Sequence, residues 1–159
     1  MNCIQFLSCV ALVLQVVWAT PIAHRQLKCE PLKIKMCQQL NYNQTFFPNF
    51  ANHRSQWEAM QTIRSILPLL NSGCSADLVH LTCAYYAPVC TSYDIMVRPC
   101  RSLCKRVKKD CTPAMKKIYG RTVWPKGWNC KKLPKRKRNA VCFGRPSAKQ
   151  SNNSVALSQ

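Results

Sequence analysis

The sequence predicts a small, mainly helical, disulfide-rich domain with one short strand pair. Ten of its 12 cysteines lie between Cys29 and Cys142. Several stretches carry apolar residues at three- and four-residue steps, the helical repeat, whereas alternation is confined to one short segment. Only 4 glycines are present, so most of the chain is free to be regular.

The first element is "MNCIQFLSCVALVLQVVWA", which has no charged side chain and is mostly apolar from Ile4 to Ala19. A membrane-crossing helix needs about 20 apolar residues, and this run is shorter. Val17 and Ala19 are small enough for signal peptidase, so residues 1–19 read as a signal peptide cut after Ala19. Cys3 and Cys9 leave with it. The ten remaining cysteines then sit in an oxidising compartment, where an even number implies five disulfides rather than metal ligands. Ten cysteines allow about 945 pairings, so spacing alone does not give the connectivity. The mature chain, about 140 residues, is one domain with a modest core.

Residues 20–28 form a short leader. "CEPLKIKMC" (Cys29–Cys37) alternates, with Leu32, Ile34 and Met36 opposite Lys33 and Lys35, as in a half-buried strand with a cysteine at each end. "NYNQTFFPN" contains the sequon Asn43-Gln44-Thr45, which requires an exposed loop. "SQWEAMQTIRSILPLL" starts with Ser55 and Glu58 at capping-box spacing. Its apolar face is Trp57, Met60, Ile63, Ile66, Leu67 and Leu70, and Pro68 should kink or end it. "SADLVHLTCAYYAPVC" reads as a second helix, capped by Ser75 and stopped before Pro88.

"CRSLCKRVKKDC" (Cys100–Cys111) follows Pro99, which suits a helix first turn. At about 100° per residue, Cys100, Cys104 and Cys111 fall within ~40° of one another, flanked by Leu103 and Val107. Arg101, Lys105, Arg106, Lys108 and Lys109 take the other side. The helix is riveted to the core by disulfides and shows a basic outer face. "PAMKKIY" reads as a last, separate short helix, ending at Gly120 in a left-handed cap. "RTVWPKGWNC" is a loop holding Trp124 and Trp128. Residues 143–159 are a polar, disordered tail with a second sequon at Asn152.

The net charge is +19. Residues 98–149 hold most of it, with Asp110 their one acid. Behind a signal peptide the fitting polyanion is a sulfated glycosaminoglycan or an acidic membrane surface rather than nucleic acid. The candidate contacts are Arg101, Lys105, Lys108, Lys109, Lys131, Lys132, Lys135, Arg136, Lys137 and Arg138. The competing reading is an ordinary solvated charge run.

Catalytic chemistry has little to work with. The titratable groups are His24, His53, His80 and five acids: Glu30, Glu58, Asp77, Asp94 and Asp110. None lies in a nucleophile motif, and no His-Asp pair adjoins a glycine-rich calcium loop. No enzyme activity, cofactor or metal is expected. A secreted hydrolase would have to depend on His53 or His80.

"CEPLKIKMC", "NYNQTFFPN", "CSADLVHLTCAYYAPVC", "RPCRSLCKRVKKDC" and the terminal "WP…C…C" together resemble the Frizzled cysteine-rich domain. They appear in that family's order from Cys29 to Cys142, which sets the domain at residues 29–142. The resemblance implies a helical bundle with a short strand pair and the bridges Cys29–Cys90, Cys37–Cys83, Cys74–Cys111, Cys100–Cys142 and Cys104–Cys130. It also implies a glycan at Asn43. Such domains bind Wnt proteins by holding a palmitoleoyl chain in an apolar groove. Carried over, the groove uses Ser65, Ile66, Pro68, Leu69, Tyr85 and Tyr119, although any of the apolar ones equally suits a plain core. This sequence departs from the family pattern after Tyr119-Gly120, where Arg121-Thr122-Val123 replaces an aromatic. "KKLPKRKR" also resembles a proprotein convertase site, with cutting after Arg138.

Frizzled receptors continue into seven membrane helices and secreted Frizzled-related proteins add a netrin-like domain; the expectation for this sequence is neither. The expectation is a secreted, stand-alone domain acting as a soluble Wnt decoy or carrier in the extracellular space. Its expected partners are palmitoleoylated Wnt proteins, heparan sulfate proteoglycans and Frizzled receptors. The alternative is a matrix-binding protein that keeps the scaffold and binds polyanions without lipid.

Overall fold

β1 (Lys28–Pro31) and β2 (Gln44–Phe47) form an antiparallel pair, with Cys29 opposite Phe46 and Glu30 opposite Thr45. The computed structural model describes residues 28–93, 95–125, 127–137 and 141–144. The signal peptide, most of the leader, Arg138, Asn152 and nearly all of the tail lie outside these residues. The strand expected over Cys29–Cys37 is shorter than its alternation. Leu32 and Ile34 are buried and Lys33 and Lys35 exposed, as the pattern requires. The backbone nevertheless turns into a 3-10 turn at Lys35–Cys37, where Cys37 is bonded to Cys83.

α1 (Gln56–Ser65) begins at Ser55, whose Oγ accepts the Glu58 N–H at 3.3 Å, while Glu58 Oε2 accepts the Arg54 N–H at 2.9 Å. The expected apolar face is corrected here. Trp57 is 65% exposed and Leu67 41%, and the buried positions are Gln56, Ala59, Ile63 and Ile66. A polar residue at a core position rotates the stripe. Gln56 Oε1 accepts the Lys33 N–H at 2.6 Å, and its Nε2 donates to Glu30 Oε1 at 2.7 Å and Pro31 O at 2.9 Å. It thereby satisfies the backbone where β1 ends, a job no apolar side chain can do.

The helix breaks at Ile66 and resumes as α2 (Leu67–Asn71). Pro68 sits in the first turn of α2, where its missing N–H costs no helical bond. α3 (Leu78–Tyr86) starts later than a Ser75 cap implies. Ser75 Oγ instead donates to Asp110 Oδ2 at 3.0 Å, and Asp77 stands at the cap position, paired with Arg106 at 2.8 Å.

α4 (Arg101–Tyr119) is one 19-residue helix with Pro113 inside it, so the separate short helix expected at "PAMKKIY" is corrected. A proline in a helix interior costs about 3 kcal/mol. Here the buried stripe Val107, Cys111 and Met115 runs straight past it, and the Cys74–Cys111 bridge fixes the turn just before it. The helix ends at Gly120, φ +68°, in the left-handed cap.

The bonds Cys29–Cys90, Cys37–Cys83, Cys74–Cys111, Cys100–Cys142 and Cys104–Cys130 are the five pairs that the resemblance implies. Three of them meet α4 or its N-cap, Cys100. A core of Leu69, Leu78, Leu81, Leu103, Val107 and Tyr86 fills the space between α2, α3 and α4.

Candidate functional site

The elbow between α1 and α2 faces the last turns of α4 and the loop after Gly120. Between them lies a cavity of about 630 Å³, within the ~300–1,000 Å³ range of ligand pockets. Ser65 and Ile66 contribute from the elbow, Met115 and Tyr119 from α4, Val123 and Trp124 from the loop. Tyr119 Oη donates to Ser65 O at 3.1 Å and ties the two walls together.

Polar groups gather at one end. The His53 ring stacks on Tyr86 with centroids 5.7 Å apart. Its Nδ1 is 3.1 Å from Asn49 Nδ2 and its Nε2 is 3.1 Å from Thr62 Oγ1. The Asn49 Oδ1 already accepts two backbone N–H groups, from Ala51 and His53, so its Nδ2 is the donor and Nδ1 of His53 the acceptor. Nε2 then carries the proton and donates to Thr62. Burial pushes the Tyr86 phenol well above its ordinary range. Trp124 stacks on Trp128, and the Lys108 ammonium lies 5.3 Å from the Trp124 centroid. Burial holds that ammonium below its ordinary lysine value.

Of the six groove residues expected, Ser65, Ile66 and Tyr119 line this cavity. Leu69 is 0% exposed and belongs to the core. Pro68, in the first turn of α2 beyond the break at Ile66, is not part of the cavity lining. Tyr85 faces a different cavity, and its neighbour Tyr86, about 100° round α3, takes the place expected for it. His53, Thr62, Met115, Val123 and Trp124 were not assigned from sequence. Met115 is the next step of the 107–111 stripe, which a separate helix at "PAMKKIY" would interrupt.

The second cavity, about 310 Å³, lies between Tyr85, Phe50, Arg98, Asn129 and Lys132. Gly127 makes room for it: its φ is +95°, and a Cβ there would stand 1.9 Å from Tyr85 Oη. Replacing Gly127 by alanine is expected to cost about 1–3 kcal/mol in backbone strain alone. Thermal unfolding measures that loss, and an unchanged melting temperature would refute it.

The polyanion candidates separate into two groups. Lys105, Lys109, Lys131, Lys132, Lys135 and Lys137 are exposed. Arg101 and Arg136 are half-buried and also hold the fold. Arg101 donates to Leu133 O at 3.0 Å and Lys131 O at 2.6 Å; Arg136 donates to Cys142 O at 3.3 Å and to Gly144 O. Lys108 is engaged with Trp124. The sequon asparagine Asn43 is exposed, while the Thr45 hydroxyl is buried and donates to Pro88 O at 2.8 Å. Among the described residues no group of three or more His, Cys, Asp or Glu is placed to hold a metal ion. Nor is any of their helices long and apolar enough to cross a membrane.

The family model of the Fz domain matches residues 29–137. Protein mom-5 of Caenorhabditis elegans is 40% identical over 126 residues, 79% of this chain and 21% of that protein. Frizzled-3 of Xenopus laevis is 37% identical over 130 residues, 78% of this chain and 19% of that protein. Frizzled-4 of Homo sapiens is 37% identical over 121 residues, 75% of this chain and 22% of that protein. The chain thus spans about a fifth of the length of these relatives. The solved structure of the Smoothened CRD superposes with a TM-score of 0.51 at 26% identity, covering 70% of this chain and 96% of that one.

Proposed function

We propose, because this chain belongs to the Fz domain family, that it is a secreted Wnt-binding domain which shelters the Wnt acyl chain in the cavity between the α1–α2 elbow and α4. The reading is supported by one observation above all: Ile66, Met115, Val123 and Trp124 share one cavity wall with Tyr119 and Ser65. A hydrocarbon tail needs contiguous aliphatic and aromatic side chains on rigid elements, and burial returns ~0.8 kcal/mol per methylene, up to roughly 10 kcal/mol for most of a long chain before ordering costs. Val123 supplies, with Trp124, the wall that the family builds with an aromatic. Released from the cell after cleavage behind Ala19, the protein acts as a soluble decoy or carrier for Wnt, in competition with Frizzled receptors. Glycans at Asn43 and Asn152 and retention on heparan sulfate through Lys105, Lys109, Lys131, Lys132, Lys135 and Lys137 belong to the same proposal.

The test is capture of acylated against de-acylated Wnt at moderate salt. Acylated ligand is expected to be retained at least tenfold better, and Val123→Asp, which sets a charge on an exposed part of the wall (57%), is expected to abolish the difference. Equal recovery of both forms would end the acyl reading. The alternative, a matrix protein that binds by charge alone, predicts capture that collapses as salt screens the contact, whereas acyl burial persists.

A further inference from the structure

Tyr85 is only 6% exposed, yet its hydroxyl has no hydrogen-bond partner among the described residues. The oxygen is not sealed from solvent, so the hydroxyl can donate to whatever enters the space before it. It borders the 310 Å³ cavity together with Arg98, Lys132 and Asn129. No carboxylate lines that cavity.

Each of these groups stands on a pinned backbone. Arg98 O accepts the Phe143 N–H at 2.9 Å, and two residues on the Cys100 N–H returns to Phe143 O at 2.8 Å. The Arg98 guanidinium carbon lies over the Phe50 ring at 5.4 Å, which orients its donors. The Lys132 N–H is held by Asn129 O at 3.0 Å. Asn129 Oδ1 accepts the Lys131 N–H at 3.1 Å, which leaves its Nδ2 free to donate. Burial raises the Tyr85 pKa, with Arg98 opposing, so the phenol keeps its proton at neutral pH. The cavity therefore offers two cations, one of them oriented by the Phe50 ring, and two neutral donors, with no carboxylate in its lining to match them.

We propose that this cavity is a binding site for a tetrahedral oxoanion, a sulfate or phosphate monoester, held by Arg98 and Lys132 and by the Tyr85 hydroxyl. A planar guanidinium and convergent hydroxyl and amide donors suit an oxygen-rich anion presented end-on. The site is separate from the acyl cavity and stands whether or not a lipid binds there. It gives the general positive charge a specific point of recognition, where one group of a sulfated polysaccharide would be read rather than merely attracted.

The experiment is calorimetric titration of the full secreted chain at about 150 mM salt, where loose surface attraction is screened beyond roughly 8 Å. The probes are a heparin-derived tetrasaccharide, its desulfated counterpart and glycerol 2-phosphate. Saturable one-to-one binding of the sulfated sugar, the phosphate or both supports the site, and the stronger of the two names its source. Arg98→Gln is expected to weaken binding at least tenfold and Tyr85→Phe, which keeps the ring and removes only the donor, about three- to fivefold. Lys33→Gln, an equal change of net charge on another surface, should stay within twofold. Absence of saturable binding would overturn the proposal, as would equal losses in Arg98→Gln and Lys33→Gln, or a Tyr85→Phe variant that binds like the parent. Failure of acyl capture with intact anion binding would overturn only the acyl reading.

Discussion

Replacing Cys37 and Cys83 together by alanine is expected to lower the stability of the domain by about 4 kcal/mol. The bridge joins residues 46 apart, and loop closure of that length removes about 4 kcal/mol of unfolded-chain entropy. Domains of this size are stable by about 5–15 kcal/mol, so one bridge represents a large share. Both cysteines are completely buried, and they connect the 3-10 turn after β1 to the middle of α3. That turn has only three residues and no ladder to hold it, so the covalent link is its main anchor. Guanidinium unfolding of the double variant, with the other four bridges verified by mapping, measures the loss through the midpoint. A change under about 1 kcal/mol would mean that packing of Leu32 and Ile34 suffices without the sulfur link.

Leu69→Ala is expected to cost about 2–5 kcal/mol, the usual range for removing a buried leucine and leaving a cavity. Leu67→Ala, two residues earlier on the same helix, should cost less than ~1 kcal/mol. The difference rests on orientation alone. Leu69 faces inward where α2 packs against α4, whereas Leu67 stands 41% exposed. Denaturant midpoints of the two variants decide it. Equal losses, or the reverse order, would place the roll of α2 elsewhere.

The same two residues show where the sequence was readable. The Ser55 cap, the break near Pro68 and the Gly120 cap follow from local chemistry, and all three are present. The phase of α1 was not readable, because Gln56 occupies the core for hydrogen bonds to a strand 25 residues away, which no periodicity reveals. Continuity through Pro113 was hidden because proline's local cost is plain while the tertiary contacts of Cys111 and Met115 that offset it are not. The candidate site was half legible: Ser65, Ile66 and Tyr119 converge, but Tyr85 and Tyr86 differ only by one helical step, and nothing in "AYYAP" says which ring faces which cavity. The polar end at His53 depends on a loop turning back on Asn49, again beyond any sequence period.

The order of the bridges also decides how the protein bears a pull. Between Cys29 and Cys142 the shortest covalent route crosses to Cys90, follows the backbone to Cys100, and crosses again. Tension applied at the two ends runs through that stretch of residues 91–99 and two sulfur links, bypassing both strands, α1–α3 and all of α4. At ~3.4 Å per residue the loaded stretch spans at most about 30 Å when pulled straight, and beyond that covalent bonds take the strain. Under such a load the domain would lengthen at that one strap, which draws on Arg98 of the smaller cavity and leaves the larger one, with no lining residue in the strap, slack.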